Sequence, residues 1–133
     1  MKKPVIILIL ALRSCQTCPA ITETEVSKLL PALIQVESGG DNSAIGDSGN
    51  AIGCLQIWPV MVEDVNRVSG QGFTLNDRLS RHQSLKMARI YFRHYGKGWN
   101  IEQAARCWNG GPTGNKKKAT LKYWEKVKKE LND

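Results

Sequence analysis

Apolar residues recur every three or four positions along most of this chain, the spacing that buries one face of an α-helix. Val26, Leu29 and Leu33 give the first example, and Asn100 followed by Gln103 resembles a capping box at the start of another helix. Short stretches rich in glycine and proline separate these patterns. The predicted helices cover residues 24–37, 59–68, 80–95, 100–108 and 119–131.

The first predicted helix contains a proline and ends at a glycine pair. Pro31 looks like a helix breaker, but it would fall in the tolerated first turn if Ser27 were the N-cap, and residues 22–27 could then form a separate lead-in turn. Gly39 and Gly40 stop the helix, which places Glu37 in its last turn.

The segment that follows Glu37 is the least helical part of the chain. Its glycines predict a short β-hairpin or an irregular excursion, and "AIGCLQI" (51–57) is its most strand-like portion. The 133 residues suffice for one domain with a buried core. The predicted fold class is therefore α+β and predominantly α, in one domain over residues 21–133.

Residues 1–20 have a different pattern, typical of an export signal. Lys2 and Lys3 precede an apolar run over 5–12, and small and polar residues follow up to Ala20. Cleavage after Ala20 is the favoured interpretation, which predicts an exported protein, periplasmic or extracellular. Alternatively, "LRSC" resembles a bacterial lipobox, with Cys15 lipidated, and only then do we expect a membrane association as an outer-membrane lipoprotein.

The net charge of the chain is positive, but the distribution of the charged residues limits which partners the charge indicates. The formal net charge is +7, and removing Lys2, Lys3 and Arg13 with the leader leaves 16 basic and 12 acidic residues, or +4. Seven lysines lie within 116–129, where the solvated face of a helix explains most of them. Aromatic residues are not interleaved as a base-stacking platform requires, so nucleic acid is not an expected partner.

The remaining cysteines are Cys54 and Cys107. In an oxidising compartment, two cysteines suggest one disulfide, and the alternative is two buried thiols that act as small apolar residues. His82 and His94 lie at no ligand spacing from them, so we expect no metal and no cofactor.

Glu37 is the candidate for chemistry. A carboxyl in the last turn of a helix lies at the negative end of the helix dipole, and burial acts in the same direction, so both raise its pKa toward the range that a general acid needs. Bare glycine backbone and the Gln56 amide follow it, suited to a polar chain such as a glycan. Trp108 either stacks on a sugar ring or packs in the core, and Asn109 can bond a hydroxyl or N-acetyl group.

These motifs carry a family resemblance. "VESGG", "AIGCLQIWP", "ARIYF" and "AARCWNGGP", in this order over about residues 26–114, resemble the soluble lytic transglycosylases and goose-type lysozymes. The resemblance implies a lysozyme-like fold, a catalytic acid at Glu37 and a monomer that binds peptidoglycan glycan strands. It also implies that the following residues belong to the substrate site or support it: Ser38, Gln56, Tyr91, Trp108 and Asn109.

The chain departs from the family pattern at three positions. Cys54 and Cys107 replace a leucine and an alanine in motifs that adjoin one cleft, so the resemblance makes a Cys54–Cys107 disulfide plausible. Trp108 replaces the usual tyrosine, so any role of that phenol hydroxyl is absent or supplied elsewhere.

The resemblance leaves three functions open. A lytic transglycosylase uses one carboxyl to cleave the β-1,4 bond between N-acetylmuramic acid and N-acetylglucosamine and forms a 1,6-anhydro end. A hydrolytic lysozyme needs a second carboxylate, for which Asp41 and Asp47 are the candidates, although ordinary turn chemistry explains both. A peptidoglycan-binding or assembly module would keep the cleft without turnover, and the retention of Glu37 argues against it.

Overall fold

The computed structural model describes residues 19–133, and the expected leader and the lipidation candidate Cys15 lie outside this range. The predominantly α, α+β fold expected from the sequence is confirmed. Within the described residues, five α-helices surround a buried core, and a two-stranded sheet lies between the first two helices in chain order. The helices are α1 (Glu23–Ser38), α2 (Pro59–Ser69), α3 (Arg81–Tyr95), α4 (Ile101–Gly110) and α5 (Leu121–Asn132).

Helix α1 matches the predicted range 24–37 to within one residue at each end and runs without interruption. Its N-cap is Thr22, which forms a capping box with Glu25, and the alternative start at Ser27 is wrong. Pro31 consequently lies inside the helix rather than in its first turn. Leu29 and Leu33 are fully buried on either side of the proline, so packing outweighs the loss of one backbone hydrogen bond.

The other helix predictions were confirmed to within two residues at each end. Ser80 caps α3, and the Asn100–Gln103 capping box opens α4 as expected. Short 3-10 turns, Gly114–Lys116 and Lys118–Thr120, connect α4 to α5. Among residues 19–133, no helix is long and apolar enough to cross a bilayer.

The sheet is smaller than the strand-like run 51–57 suggested. Strands β1 (Ile45–Gly46) and β2 (Ala51–Ile52) pair antiparallel around a 3-10 turn, Asp47–Gly49. Gly53 (φ 85°) and Gln56 (φ 49°) then turn the chain through left-handed conformations, which end β2. The hairpin alternative is thus confirmed, and a long strand is excluded.

Helix α1 is central to the core. It contacts α3, α4 and α5, so its C-terminal end is surrounded by residues from distant parts of the chain. The left-handed Gly39 terminates α1, and Glu37 lies in its last turn as predicted. The fold therefore delivers this carboxyl to a place where the hairpin, α2, α4 and α5 converge.

Candidate active site

Glu37 lines a cavity of about 360 Å³. The cavity brings together five of the predicted site residues, Glu37, Asp47, Gln56, Trp108 and Asn109. The other residues that line it are Ile57, Trp58, Val60 and Met61, at or just before the start of α2, and Gly111, just after α4.

The Glu37 carboxyl is half-buried and held by a hydrogen bond. The hydroxyl of Tyr123, on α5, donates to Glu37 Oε1 at 2.6 Å. Burial raises the pKa of Glu37, and the negative charge of Asp47 raises it further. The Tyr123 hydroxyl, the Trp108 side chain and the Lys126 charge lower the pKa, but the balance remains above the ordinary value. A raised pKa favours the protonated form of the carboxyl, which is the form that a general acid needs.

Ser38 ties the end of α1 to the segment after the hairpin and is not among the residues that line the cavity. Its hydroxyl donates to the backbone carbonyl of Cys54 at 2.8 Å and accepts from the Gly40 amide at 3.2 Å. The residue after the acid therefore fixes the end of α1 against the hairpin segment. This is a supporting role of the kind that the family resemblance implied.

Gln56 lies in the cavity wall but uses its amide nitrogen within the protein. Nε2 donates to the backbone carbonyls of Ala44 at 3.1 Å and Gly53 at 3.0 Å. A Cβ at Gly46 would lie 2.4 Å from Gln56 Oε1, so a glycine is needed there to make room for the side chain. Gln56 thus holds the hairpin segment together and also lines the cavity.

Tyr91 is not among the residues that line the cavity. It is buried in an aromatic cluster, and its hydroxyl donates to the Cys107 carbonyl at 3.0 Å. Burial also raises the pKa of this phenol. The Tyr91 ring packs edge-to-face against the Trp108 ring, with ring centroids 5.6 Å apart.

The two candidate second carboxylates differ in position. Asp41 is exposed and absent from the cavity lining, and its Oδ1 accepts from the Ser43 amide and hydroxyl, both at 2.8 Å. These bonds lower the pKa of Asp41, as expected for a turn residue. Asp47 instead lines the cavity with Glu37. Of the two, only Asp47 is placed near the acid.

Cys54 and Cys107 are free, buried thiols, so the expected disulfide is not formed in this structure. Cys107 Sγ lies 3.5 Å from Asn115 Oδ1 and 3.6 Å from the Pro112 carbonyl, in the connection after α4. The side chain of Cys54 has other neighbours, Ser84 and Arg81. Burial raises the pKa of both thiols, and both behave as small core residues.

The sequence did not reveal Tyr123 or Arg78. Tyr123 lies 86 residues from Glu37, and its only local signal is its position one turn before the buried Val127 on α5. Arg78 is buried, and its Nη1 donates to the carbonyls of Asn50 at 3.0 Å and Ile57 at 3.1 Å. No sequence pattern predicts a buried arginine whose guanidinium bonds these two backbone carbonyls.

Metal chemistry has no candidate site in the part of the chain that the structure describes. Residues 19–133 contain no group of three or more histidine, cysteine, aspartate or glutamate side chains placed to hold an ion.

Comparison with known proteins gives one family. A family model described as the transglycosylase SLT domain matches residues 19–131. Protein IpgF of Shigella flexneri is 29% identical over 106 residues, which cover 76% of this chain and 68% of that protein. Protein IpgF of Shigella sonnei is 28% identical over the same length.

Proposed function

Because the chain belongs to the transglycosylase SLT domain family, we propose that it is a lytic transglycosylase of peptidoglycan. It cleaves the β-1,4 bond between N-acetylmuramic acid and N-acetylglucosamine, with Glu37 as acid and then base. The observation that supports this most directly is the half-buried Glu37 carboxyl, with its raised pKa, in the wall of a cavity of about 360 Å³.

In the first step, Glu37 donates its proton to the bridging oxygen as the glycosidic bond breaks. The bond's electron pair goes to that oxygen, which leaves as the hydroxyl of the departing strand. The N-acetyl group of the substrate stabilises the cation-like carbon that remains. Glu37 is now ionised, and the Tyr123 hydroxyl at 2.6 Å stabilises the new charge.

In the second step, ionised Glu37 accepts the proton of the substrate's own C6 hydroxyl. The C6 oxygen bonds to the cation-like carbon and closes a 1,6-anhydro ring. Glu37 ends protonated, as it began, and no water is consumed. One carboxyl therefore performs both proton transfers, which agrees with the single acid held at the end of α1.

A hydrolytic lysozyme is the second candidate, supported by the position of Asp47. That carboxylate lines the same cavity as Glu37 and would have to activate a water molecule there. Asp41 drops out of this proposal because it does not line the cavity and is bound within its own turn.

The proposed function has consequences for location and partners. Proteins that act on peptidoglycan work outside the cytoplasmic membrane, which fits the expected leader over 1–20 and a catalytic domain over 21–133. The proposed partner is the glycan strand, bound by a monomer without a cofactor. Membrane association would require lipidation at Cys15.

The test is the analysis of muropeptides released from sacculi by the protein and by Glu37→Gln. Products with anhydro ends, lighter by one water than hydrolysed ones and absent with the variant, are expected. Reducing ends would indicate the lysozyme reaction. Release of nothing while the protein stays bound to sacculi would refute both and leave a binding module.

A further inference from the structure

Trp58 is an exposed aromatic residue in the wall of the cavity. It is 44% exposed, whereas Trp108, the aromatic residue that the sequence suggested for sugar stacking, is only 8% exposed. The Trp108 ring packs against Phe92 and Tyr91, each with ring centroids 5.6 Å away. Its contacts are mainly with the core, so the aromatic surface open to a ligand belongs to Trp58.

The backbone at Trp58 is held in place on both sides. Trp58 is the N-cap of α2, and its carbonyl accepts from the Met61 amide at 3.0 Å. Pro59 follows at the first helical position, where its ring restricts the backbone. The preceding residue, Ile57, is fully buried, and its carbonyl accepts from Arg78 at 3.1 Å. The backbone that carries the indole is therefore fixed, which limits the conformational entropy lost when a ligand binds.

The cavity wall around Trp58 is apolar on one chain segment and polar elsewhere. Ile57, Trp58, Val60 and Met61 supply the apolar part, and Val60 is 65% exposed. The polar residues are Glu37, Asp47, Gln56 and Asn109. A pyranose ring has the same division, because its C–H groups form apolar faces and its hydroxyl and N-acetyl groups lie at the edge. An exposed aromatic beside polar groups is the arrangement that binds such a ring.

We propose that the indole face of Trp58 is the platform on which one sugar ring of the glycan stacks, and that this contact sets the position of the strand relative to Glu37. The inference rests on the proposed function and assigns a binding residue to the same site. The expected ligand is an N-acetylated glucose ring with one unsubstituted face. Trp108, in contrast, supports Glu37 from the core.

The test compares Trp58→Phe, which keeps an aromatic face, with Trp58→Leu, which keeps an apolar side chain without one. In a Glu37→Gln background, the probe is tri-N-acetylchitotriose, and binding is measured by calorimetry. We expect Trp58→Leu to weaken binding about tenfold and Trp58→Phe to weaken it by no more than about threefold. Thermal denaturation of each variant establishes that it is folded.

Fluorescence supplies a second readout, which a general loss of packing would not change in the same way. The protein has four tryptophans. Addition of the trisaccharide should alter the emission of the Glu37→Gln protein. Trp58→Phe should reduce that response to the part contributed by Trp108, which also lines the cavity. Trp124→Phe, a matched change on α5 outside the cavity lining, should retain it.

Equal affinities for Trp58→Leu and its parent, or no binding of the trisaccharide by the parent, would overturn the proposal. An emission response that is undiminished by Trp58→Phe would also overturn it. These results are separable from the muropeptide assay. If the protein binds the trisaccharide through Trp58 but releases no muropeptides, the stacking proposal stands and the proposed reaction is refuted. If the protein cleaves sacculi but its affinity does not depend on Trp58, the proposed reaction stands and the stacking proposal is refuted.

Discussion

The Tyr123 hydroxyl and the Glu37 carboxyl are joined by a hydrogen bond of 2.6 Å between residues 86 positions apart. It makes the last helix, whose lysines suggested only a solvated surface, part of the candidate active site. The usual tyrosine of the family motif is Trp108 here, and Tyr123 brings a phenol hydroxyl to Glu37 from α5.

Removal of that hydroxyl should shift the pH dependence of the reaction upward. The Tyr123 bond stabilises the ionised carboxylate and lowers the pKa of Glu37, so Tyr123→Phe raises this pKa further. The protonated acid then persists to higher pH, and the alkaline limb of the kcat/KM profile moves up. We also expect kcat to fall about tenfold, because the carboxyl loses a fixed partner.

Tyr95→Phe is the matched control for Tyr123→Phe. The Tyr95 hydroxyl also donates to a carboxylate, that of Asp64 at 2.5 Å, but neither residue lines the cavity. The alkaline limb should stay in place for this variant. A downward shift for Tyr123→Phe would mean that the phenol does not stabilise ionised Glu37.

Asp47→Asn should shift the profile in the opposite direction. The Asp47 charge raises the pKa of Glu37, so its loss lowers that pKa and moves the alkaline limb down. If the protein is a transglycosylase, Asp47→Asn should still form anhydro products. A loss of activity of about a hundredfold or more would instead support Asp47 as the second carboxylate of a lysozyme. The measurement is kcat/KM against pH with product analysis.

Glu37→Gln should stabilise the protein at neutral pH and not in acid. The folded-state pKa of Glu37 is raised, so the folded protein binds this proton more tightly than the unfolded chain does. The stability from Glu37 is fully present below its ordinary pKa of 4.5 and is lost as pH rises through the raised value. Glutamine carries no charge and still offers Tyr123 an acceptor.

Thermal denaturation of both proteins at pH 7 and near pH 4 measures this effect. The Tm of Glu37→Gln should exceed that of the parent at pH 7, and the difference should shrink in acid. A difference that grows in acid would show that ionised Glu37 is stabilised by folding, contrary to its desolvated position.

Gly53→Ala should destabilise the protein because the glycine touches backbone. An added Cβ would lie 1.8 Å from the Arg78 carbonyl oxygen, and φ at Gly53 is 85°. We expect a loss of about 3 kcal/mol in the free energy of unfolding. Gly72→Ala, where nothing lies within 4 Å of the added Cβ, should change it by less than about 0.5 kcal/mol. Urea denaturation of the two variants tests the contrast, and equal stabilities would contradict the packing described for the hairpin.

The helices were predictable because their signals are local. The periodic burial along α1, the Asn100–Gln103 capping box and the glycine stop after Ser38 all act within a few residues, and each was confirmed. The same locality explains the error at Ser27. The capping box of Thr22 and Glu25, together with the buried leucines, extends the helix across a proline that local preference places at its start.

The hairpin and half of the candidate site depend on contacts that sequence spacing does not show. Gln56 adopts a left-handed conformation, uncommon for a residue with a side chain, and its amide bonds to the Ala44 and Gly53 carbonyls. Trp58 reads as one more apolar residue before a proline, and only the folded chain leaves it exposed beside Glu37. The proposed catalytic role of Glu37 was suggested by its motif, whereas its electrostatic surroundings depend on residues of α5 and the hairpin, which only the folded chain brings together.

Arg78 has a consequence for how the glycine-rich segment responds to proteases. Its guanidinium joins the carbonyls of Asn50 and Ile57 to that of Leu75, and the Ser84 hydroxyl holds the Arg78 carbonyl at 3.0 Å. The hairpin cannot separate from the protein without breaking these buried bonds. A surface segment so rich in glycine is ordinarily a preferred site of nicking. Here we expect cleavage between residues 45 and 58 to require opening of the core, so the rate of proteolysis should follow global unfolding.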